Sequence, residues 1–189
     1  MPKPLRLFIA IELNKEIKNL IKEVQNHFIN IDSGIKWVRP ENAHITLKFL
    51  GDTTEEEIKD ITTALNEIAN SFKPFSVTLS DLGAFPSLKH PSIIWIGAKE
   101  NPVEMQNLSS NVENRMEQLG FEKENRPFKL HITIGRVKNH RDISSFVSRL
   151  ETYKITSMPT IHCDSLSLFN STLTPAGPEY EIIEKRLLT

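Results

Sequence analysis

Two short runs in this chain carry the residue types that acid–base chemistry needs: His44-Ile45-Thr46-Leu47 and His131-Ile132-Thr133-Ile134, 87 positions apart. Each sets an imidazole and a hydroxyl two residues apart, with aliphatic residues alternating between them. Two residues is the repeat of a β-strand, so imidazole and hydroxyl share one face and the aliphatic pair shares the other. Histidine has an ordinary pKa of about 6.5, which leaves both protonation states accessible near neutrality. Two histidines on opposite sides of a phosphorus atom could therefore divide the opening of a cyclic phosphodiester. One, neutral, takes a proton from water; the other, protonated, gives one to the departing alkoxide. A threonine hydroxyl beside each could donate to a non-bridging oxygen and stabilise the charge that builds up in the transition state. A single His-x-Thr in a strand is ordinarily structural, and it is the repetition on a common aliphatic pattern that points to catalysis.

Further candidates flank these runs. Lys48 shares strand parity with His44 and Thr46, which leaves it either within reach of a phosphate or, the preferred reading, at a solvated edge. Parity puts Arg136 on the face opposite His131, Thr133 and Gly135. A bulge at Gly135 would re-aim it into the site; without one it is a surface ion-pair residue. Phe8, beside Arg6, could stack on a base or belong to the core, and Tyr180 poses the same alternative. His27, His90, His140 and His162 lack a threonine two positions on and read as surface or loop residues. There is no His-x-x-x-His pair on a helix, no dense aspartate cluster and no glycine-rich phosphate loop. Neither a metal nor a cofactor is expected.

The 189 residues carry 23 basic and 24 acidic side chains, a formal net charge of −1. This is not the strong positive field of a protein that grips a long duplex. A short RNA end or a small cyclic nucleotide would need only a local basic cluster. Hydrophobic content of 39% is ordinary for a globular protein. Cys163 is the one cysteine, so no disulfide forms within the chain and no cysteine-based zinc site is available. The first apolar run is short and broken by Arg6 and Glu12, unlike a leader or a membrane span. A cytoplasmic monomer with no obligate protein partner and no membrane association is expected.

The elements that must position the motifs follow from periodicity. Leu7, Ile9, Ile11 and Leu13 alternate as a strand, and Asn14 can cap a helix carrying Ile17, Leu20, Ile21, Val24 and Phe28. A short strand spans 35–38, a turn Pro40-Glu41-Asn42, and a motif strand 44–50, ending at Gly51. Thr54 and Glu57 form a capping box ahead of Ile58, Ile61, Leu65 and Ile68. Strands are predicted at 75–79 and 92–98, with 85–91 as the hairpin loop between them. Asn101-Pro102 starts a helix that Gly120 stops, the second motif strand covers 130–137, and Asp142 can cap a fourth helix. Strands at 165–169 and 180–187 flank a turn at 174–178. Most strand pairs lack a crossover, so an α+β architecture follows: largely antiparallel sheets with helices on the outer faces. A weak twofold internal repeat, one motif per unit, fits this order.

Around these motifs the chain resembles the 2H phosphoesterase superfamily, named for two His-x-Thr/Ser-x motifs. It is most similar to the bacterial and archaeal RNA 2′,3′-cyclic phosphodiesterases, also described as 2′–5′ RNA ligase-like. The resemblance rests on Arg6-Leu7-Phe8-Ile9-Ala10, on Trp37 to Ala43 leading into His44-Ile45-Thr46-Leu47-Lys48-Phe49-Leu50-Gly51, on Ile94-Trp95-Ile96-Gly97, on His131 to Arg136, and on Leu173 to Tyr180. It covers nearly the whole chain and implies one bilobal domain over 1–189, pseudo-twofold, with a central cleft lined by both motifs. It implies metal-independent hydrolysis of RNA-terminal or nucleoside 2′,3′-cyclic phosphates to 2′-phosphates. On that resemblance His44 is the proton donor to the leaving 3′ oxygen, His131 the proton acceptor from water, and Thr46 and Thr133 hold the phosphate. It also implies a phosphate-binding role for Arg136. Two rivals stand beside this reading: 2′–5′ joining of RNA ends in the same cleft, and a non-catalytic module that binds nucleotides or RNA ends.

Overall fold

Alternating aliphatic residues make Leu5–Glu12 the first strand, β1, and Leu7, Ile9 and Ile11 are almost wholly buried. In the computed structural model, residues 4–31, 34–139, 143–155, 159–175 and 177–189 are described. After β1 come α1 (Lys15–Phe28), β2 (Ile35–Trp37), a 3₁₀ turn at Pro40–Asn42, β3 (His44–Thr53), α2 (Glu55–Ala69) and β4 (Phe75–Thr78). They are followed by β5 (Asp81–Pro86), β6 (Pro91–Gly97), α3 (Val103–Gln118), β7 (His131–Val137), α4 (Ile143–Thr152), β8 (Thr160–Cys163), β9 (Ser165–Thr174) and β10 (Gly177–Leu187). Asn14 caps α1 by accepting from the Ile17 amide at 3.0 Å, and Thr54 with Glu57 closes a reciprocal capping box on α2. Asp142, the expected cap of α4, lies outside the described residues, as do His140 and Ala176.

Two four-stranded sheets carry the architecture, in the orders β10-β9-β1-β3 and β2-β7-β6-β5, and every pairing in them is antiparallel. Each motif strand sits in its own sheet, so each lobe owns one histidine. The helices bury Ile17, Ile21, Ile61, Leu65, Leu108 and Val112 against the sheets, and the main core runs from Leu7 to Leu188 through both lobes. The first sheet also has a small second cluster on its other face: Phe8, Ala10 and Phe169, with Tyr180 packed against them.

Three expectations change. The strand at Phe75–Thr78 does not form a hairpin with β6; it pairs with β8 as a separate two-stranded sheet. The hairpin partner of β6 is β5, so Phe85, Pro86 and Pro91, expected in a loop, are strand residues. Strand β3 continues through Gly51 to Thr53. Gly51 takes a φ of +76°, which glycine adopts without strain, and a register shift between Leu7 and Phe8 absorbs the irregularity.

Candidate active site

The motif strands β3 and β7 approach each other where the lobes meet. His44, Thr46, His131 and Thr133 all line one cleft there, of about 1590 Å³, together with Arg6, Arg136 and Tyr180. The two imidazoles are held in the same way. His44 Nδ1 lies 2.8 Å from the Asn42 carbonyl, and His131 Nδ1 lies 2.7 Å from the Lys129 carbonyl. A carbonyl oxygen only accepts, so each Nδ1 carries a hydrogen and donates it, which leaves each Nε2 to take or give a proton. Each ring also rests on an aromatic neighbour. Phe8 lies 4.7 Å from His44, and Phe85 meets His131 edge-on at 5.0 Å.

Burial sets the electrostatics. It lowers the His44 pKa to about 4; the Asn42 carbonyl opposes the shift, and charge on His131 or Arg136 adds to it. His131 is also lowered, again chiefly by burial, with the Lys129 carbonyl opposing and Arg136 and Lys129 adding. Both imidazoles are therefore neutral at pH 7 in the free protein. Burial raises Tyr180, and the Arg136 and Arg6 charges partly offset that rise. Its ring lies edge-on to His44 at 5.3 Å. The Asn42 side chain donates to the Pro178 carbonyl at 2.8 Å, tying the turn before His44 to the strand that carries Tyr180.

Both motif strands contain the same irregularity, and it settles where the flanking candidates lie. Along β1 and β3, Ala10 faces Thr46 and Ile9 faces Lys48, so Leu47 is the extra residue of a bulge. Along β6 and β7, Trp95 faces Thr133 and Ile94 faces Gly135, so Ile134 is the extra residue. A bulge advances one strand by a residue and inverts the alternation beyond it. Lys48 and Gly135 are consequently buried, while Phe49 and Arg136 are exposed and line the cleft. A bulge therefore does turn Arg136 toward the cleft, with Ile134 rather than Gly135 as the extra residue.

For Lys48 the structure overturns both the solvated-edge and the phosphate readings. Its side chain is only 4% exposed and its ammonium pairs with Glu113 at 2.6 Å, while also donating to the Glu122 carbonyl. Phe8 is corrected as well: at 2% exposure, against His44, Phe169, Phe49 and Tyr180, it has no free face for a base. Tyr180 is half-buried at the cleft wall. His27, His90 and His162 are exposed and away from the cleft. Among the described residues, no three His, Cys, Asp or Glu side chains gather in a way that could hold a metal ion.

Several residues of the site carry no signal of their own in the sequence. Gln25 of α1 donates to the carbonyls of Val38 at 2.6 Å and Ile134 at 3.0 Å, bracing the β7 bulge. Glu113 of α3 braces the β3 bulge through Lys48. Asn101 accepts from the Leu130 amide at 2.7 Å and donates to the Phe128 carbonyl at 2.6 Å, so it holds the segment whose Lys129 carbonyl orients His131. Phe49 and Phe85 were legible only through a register that a one-dimensional pattern lacks. The nearest signal was spacing: Phe49 and Arg136 each stand five residues after a motif histidine.

Comparison with known proteins identifies the family. The family model described as LigT like Phosphoesterase matches twice, at residues 11–95 and 96–180, one motif in each match. An RNA 2′,3′-cyclic phosphodiesterase of Methanocaldococcus jannaschii is 38% identical over 181 residues, covering 96% of this chain and 99% of that protein. One of Thermotoga maritima is 34% identical, covering 95% of this chain and 93% of that protein. Among solved structures, E. coli LigT complexed with 3′-AMP superposes with a TM-score of 0.83 at 25% identity, over 98% of this chain and 99% of that one.

Proposed function

Because the chain belongs to the LigT-like phosphoesterase family, we propose that it hydrolyses RNA-terminal or nucleoside 2′,3′-cyclic phosphates to 2′-phosphates. Its relatives in Methanocaldococcus jannaschii and Thermotoga maritima are named RNA 2′,3′-cyclic phosphodiesterases. One observation carries the mechanism: two imidazoles in one cleft, each with Nδ1 fixed on the carbonyl two residues upstream. Water attacks phosphorus while His131 Nε2 takes its proton. The bond from phosphorus to the 3′ oxygen breaks, and His44, protonated on Nε2, gives its proton to that oxygen. The products are a 3′-hydroxyl and a 2′-phosphate. Thr46, Thr133 and Arg136 hold the non-bridging oxygens. The anionic phosphodiester, seated between the rings, favours the proton that the buried His44 lacks in the free protein.

This chemistry needs no metal, since both proton transfers are assigned to imidazoles. The substrate is an RNA 3′ end or a small cyclic nucleotide. We read 1–189 as one bilobal domain, supported by the core that runs through both lobes. A cytoplasmic monomer is the setting we propose. The free Cys163 thiol accords with a reducing compartment, and no helix among the described residues is long and apolar enough to cross a membrane.

Incubation with a 2′,3′-cyclic nucleotide in excess chelator, with the product identified, tests the reading. The 2′-phosphate is expected, and His44→Ala and His131→Ala should each cost roughly 10²–10⁴-fold in turnover. A 3′-phosphate product, a strict metal requirement, or full activity in either variant would refute it.

A further inference from the structure

The cleft face of the first sheet is apolar at its middle and cationic at one end. Strand β1 carries no extra residue of its own, so Arg6, Phe8 and Ala10 share that face. Phe8 and Ala10 are buried there with Phe169, while Arg6 is exposed. Along β9, Phe8 pairs with Phe169 and Leu7 with Asn170, and one further step of the same register sets Arg6 beside Ser171. The partner of Ser171 on β10 is Tyr180. Arg6, Ser171 and Tyr180 therefore form one lateral row across three strands, and all three line the cleft.

None of these three side chains makes a hydrogen bond or ion pair with another described residue. Polar groups at the other end of the same face are satisfied within the sheet: Glu12 accepts from Ser167 at 2.8 Å and pairs with Lys185 at 2.8 Å. Asp52 is the register partner of Arg6 on β3, but it is exposed, forms no ion pair with Arg6 and does not line the cleft. A guanidinium offers only donors, and the two hydroxyls can turn theirs the same way. Burial raises Tyr180, which keeps its phenol protonated near neutrality. The row is a set of unused donors around one cation, the pattern that receives an anion. Its position relates it to the imidazoles. One strand repeat, roughly 6.8 Å, separates Arg6 from Phe8, and Phe8 lies 4.7 Å from His44. Tyr180 spans the same gap along β10, with its ring 5.3 Å from His44. An anion held by Arg6 would lie about one sugar away from a phosphate held between the imidazoles.

We propose that Arg6, flanked by Ser171 and Tyr180, seats the phosphodiester on the 5′ side of the terminal nucleotide, one ribose upstream of the cyclic phosphate. The inference rests on the cyclic phosphodiesterase reading and deepens it. The imidazoles and Arg136 take the reacting phosphate on one side of the sugar, and Arg6 takes the unreactive one on the other. A nucleoside 2′,3′-cyclic phosphate fills only the first of these places, whereas an RNA end fills both. The favoured substrate is therefore the end of a chain, whatever its base.

The test compares kcat/KM on adenosine 2′,3′-cyclic phosphate with that on the same compound carrying a 5′-methylphosphate, which adds the diester charge without a second nucleoside. It is run in wild type, Arg6→Gln and Arg6→Lys. Wild type should favour the 5′-methylphosphate roughly three- to thirtyfold. That preference should vanish in Arg6→Gln and be kept in part in Arg6→Lys, which retains the charge but not the planar fork. A wild type without the preference, or an Arg6→Gln protein that keeps it, overturns the proposal. So does an equal loss on both substrates, which would make Arg6 a support for Tyr180 and His44. Dissociation constants of adenosine 2′-phosphate with and without the 5′-methylphosphate give the same ratio without turnover. A wild type that fails to hydrolyse either substrate therefore counts against the activity alone, while the binding ratio still decides the role of Arg6.

Discussion

At the scale of the residue, the two imidazoles are distinguished by what surrounds them. Both donate through Nδ1 to a backbone carbonyl, yet burial drives His44 to about 4 from an ordinary 6.5, while charge on His131 and Arg136 pushes the same way. The proton donor must be charged and the acceptor neutral, so the sign of the pH dependence follows. As pH falls from 8 towards 6.5, protonated His44 becomes less rare and kcat/KM rises. As pH falls below the lowered His131 value, the base is lost and kcat/KM bends over. The maximum in kcat/KM should therefore lie on the acid side of 6.5, with apparent values that belong to the pair. In kcat the alkaline limb should move to higher pH, because a bound phosphodiester anion favours protonation. A pH profile on a cyclic mononucleotide checks this, and a kcat/KM that is flat or rising between pH 6.5 and 8 removes His44 as the source of the proton. The histidines and threonines could be placed on one strand face from the sequence, because a spacing of two survives any register. Lys48 and Arg136 lie past the bulge, where parity inverts, so a correct period gave Lys48 the wrong face and left Arg136 undecided.

At the scale of the element, the bulges are held open by helices from the other half of the chain. Gln25 of α1 reaches the Ile134 carbonyl in β7. Glu113 of α3 takes the Lys48 ammonium beside the β3 bulge and also accepts from the Glu124 amide. A half-buried carboxylate left without its cation is costly, and so is a carbonyl that loses a donor, as the Val38 carbonyl would on loss of Gln25, while the Ile134 carbonyl keeps the Val38 amide. Lys48→Met is expected to lower stability by about 1–3 kcal/mol, because it leaves the partly exposed Glu113 carboxylate with the Glu124 amide alone. Gln25→Leu should cost about 1–3 kcal/mol. Because Gln25 sets the bulge that aims Arg136, that variant should also raise KM for a cyclic nucleotide more than it lowers kcat. Denaturant melts and steady-state kinetics separate the two effects. A Gln25→Leu protein that is less stable but has wild-type KM would show that the bulge keeps its shape without the amide. These braces escaped the sequence reading because each joins a helix to a strand more than 60 residues away. The β4–β8 pair escaped for the same reason: its partners are four-residue strands far apart in the chain, too short for alternation to be decisive. The capping box on α2 was legible because both of its partners lie within one turn.

At the scale of the whole molecule, two copies of one unit face each other and their difference makes the site. The family model matches each half separately, each half gives one histidine and one bulge, and the halves diverge at the position five residues on, phenylalanine in one and arginine in the other. The repeat was faint in sequence because little beyond the motifs is shared; the common register of the bulges makes it plain. Charge divides unevenly as well. The chain's net charge is −1, but nine lysines and arginines line the cleft against three glutamates. Lys48 is neutralised by Glu113 and Lys123 is paired with Glu117, while Lys36, Arg126 and Lys138 also line the cleft. A strand of RNA entering by its 3′ end would lay upstream phosphates over these cations, whereas a mononucleotide would meet only the phosphate site. Each phosphate so neutralised releases counterions and adds about −0.7 to the slope of log affinity against log salt for a single strand. A ten-nucleotide RNA ending in a 2′,3′-cyclic phosphate should therefore lose kcat/KM with rising potassium chloride more steeply than the cyclic mononucleotide, by at least one such increment. Arg126→Gln should flatten the oligonucleotide line and leave the mononucleotide line in place. Parallel lines for the two substrates would confine recognition to the terminal nucleotide and leave the basic wall without a part in holding RNA.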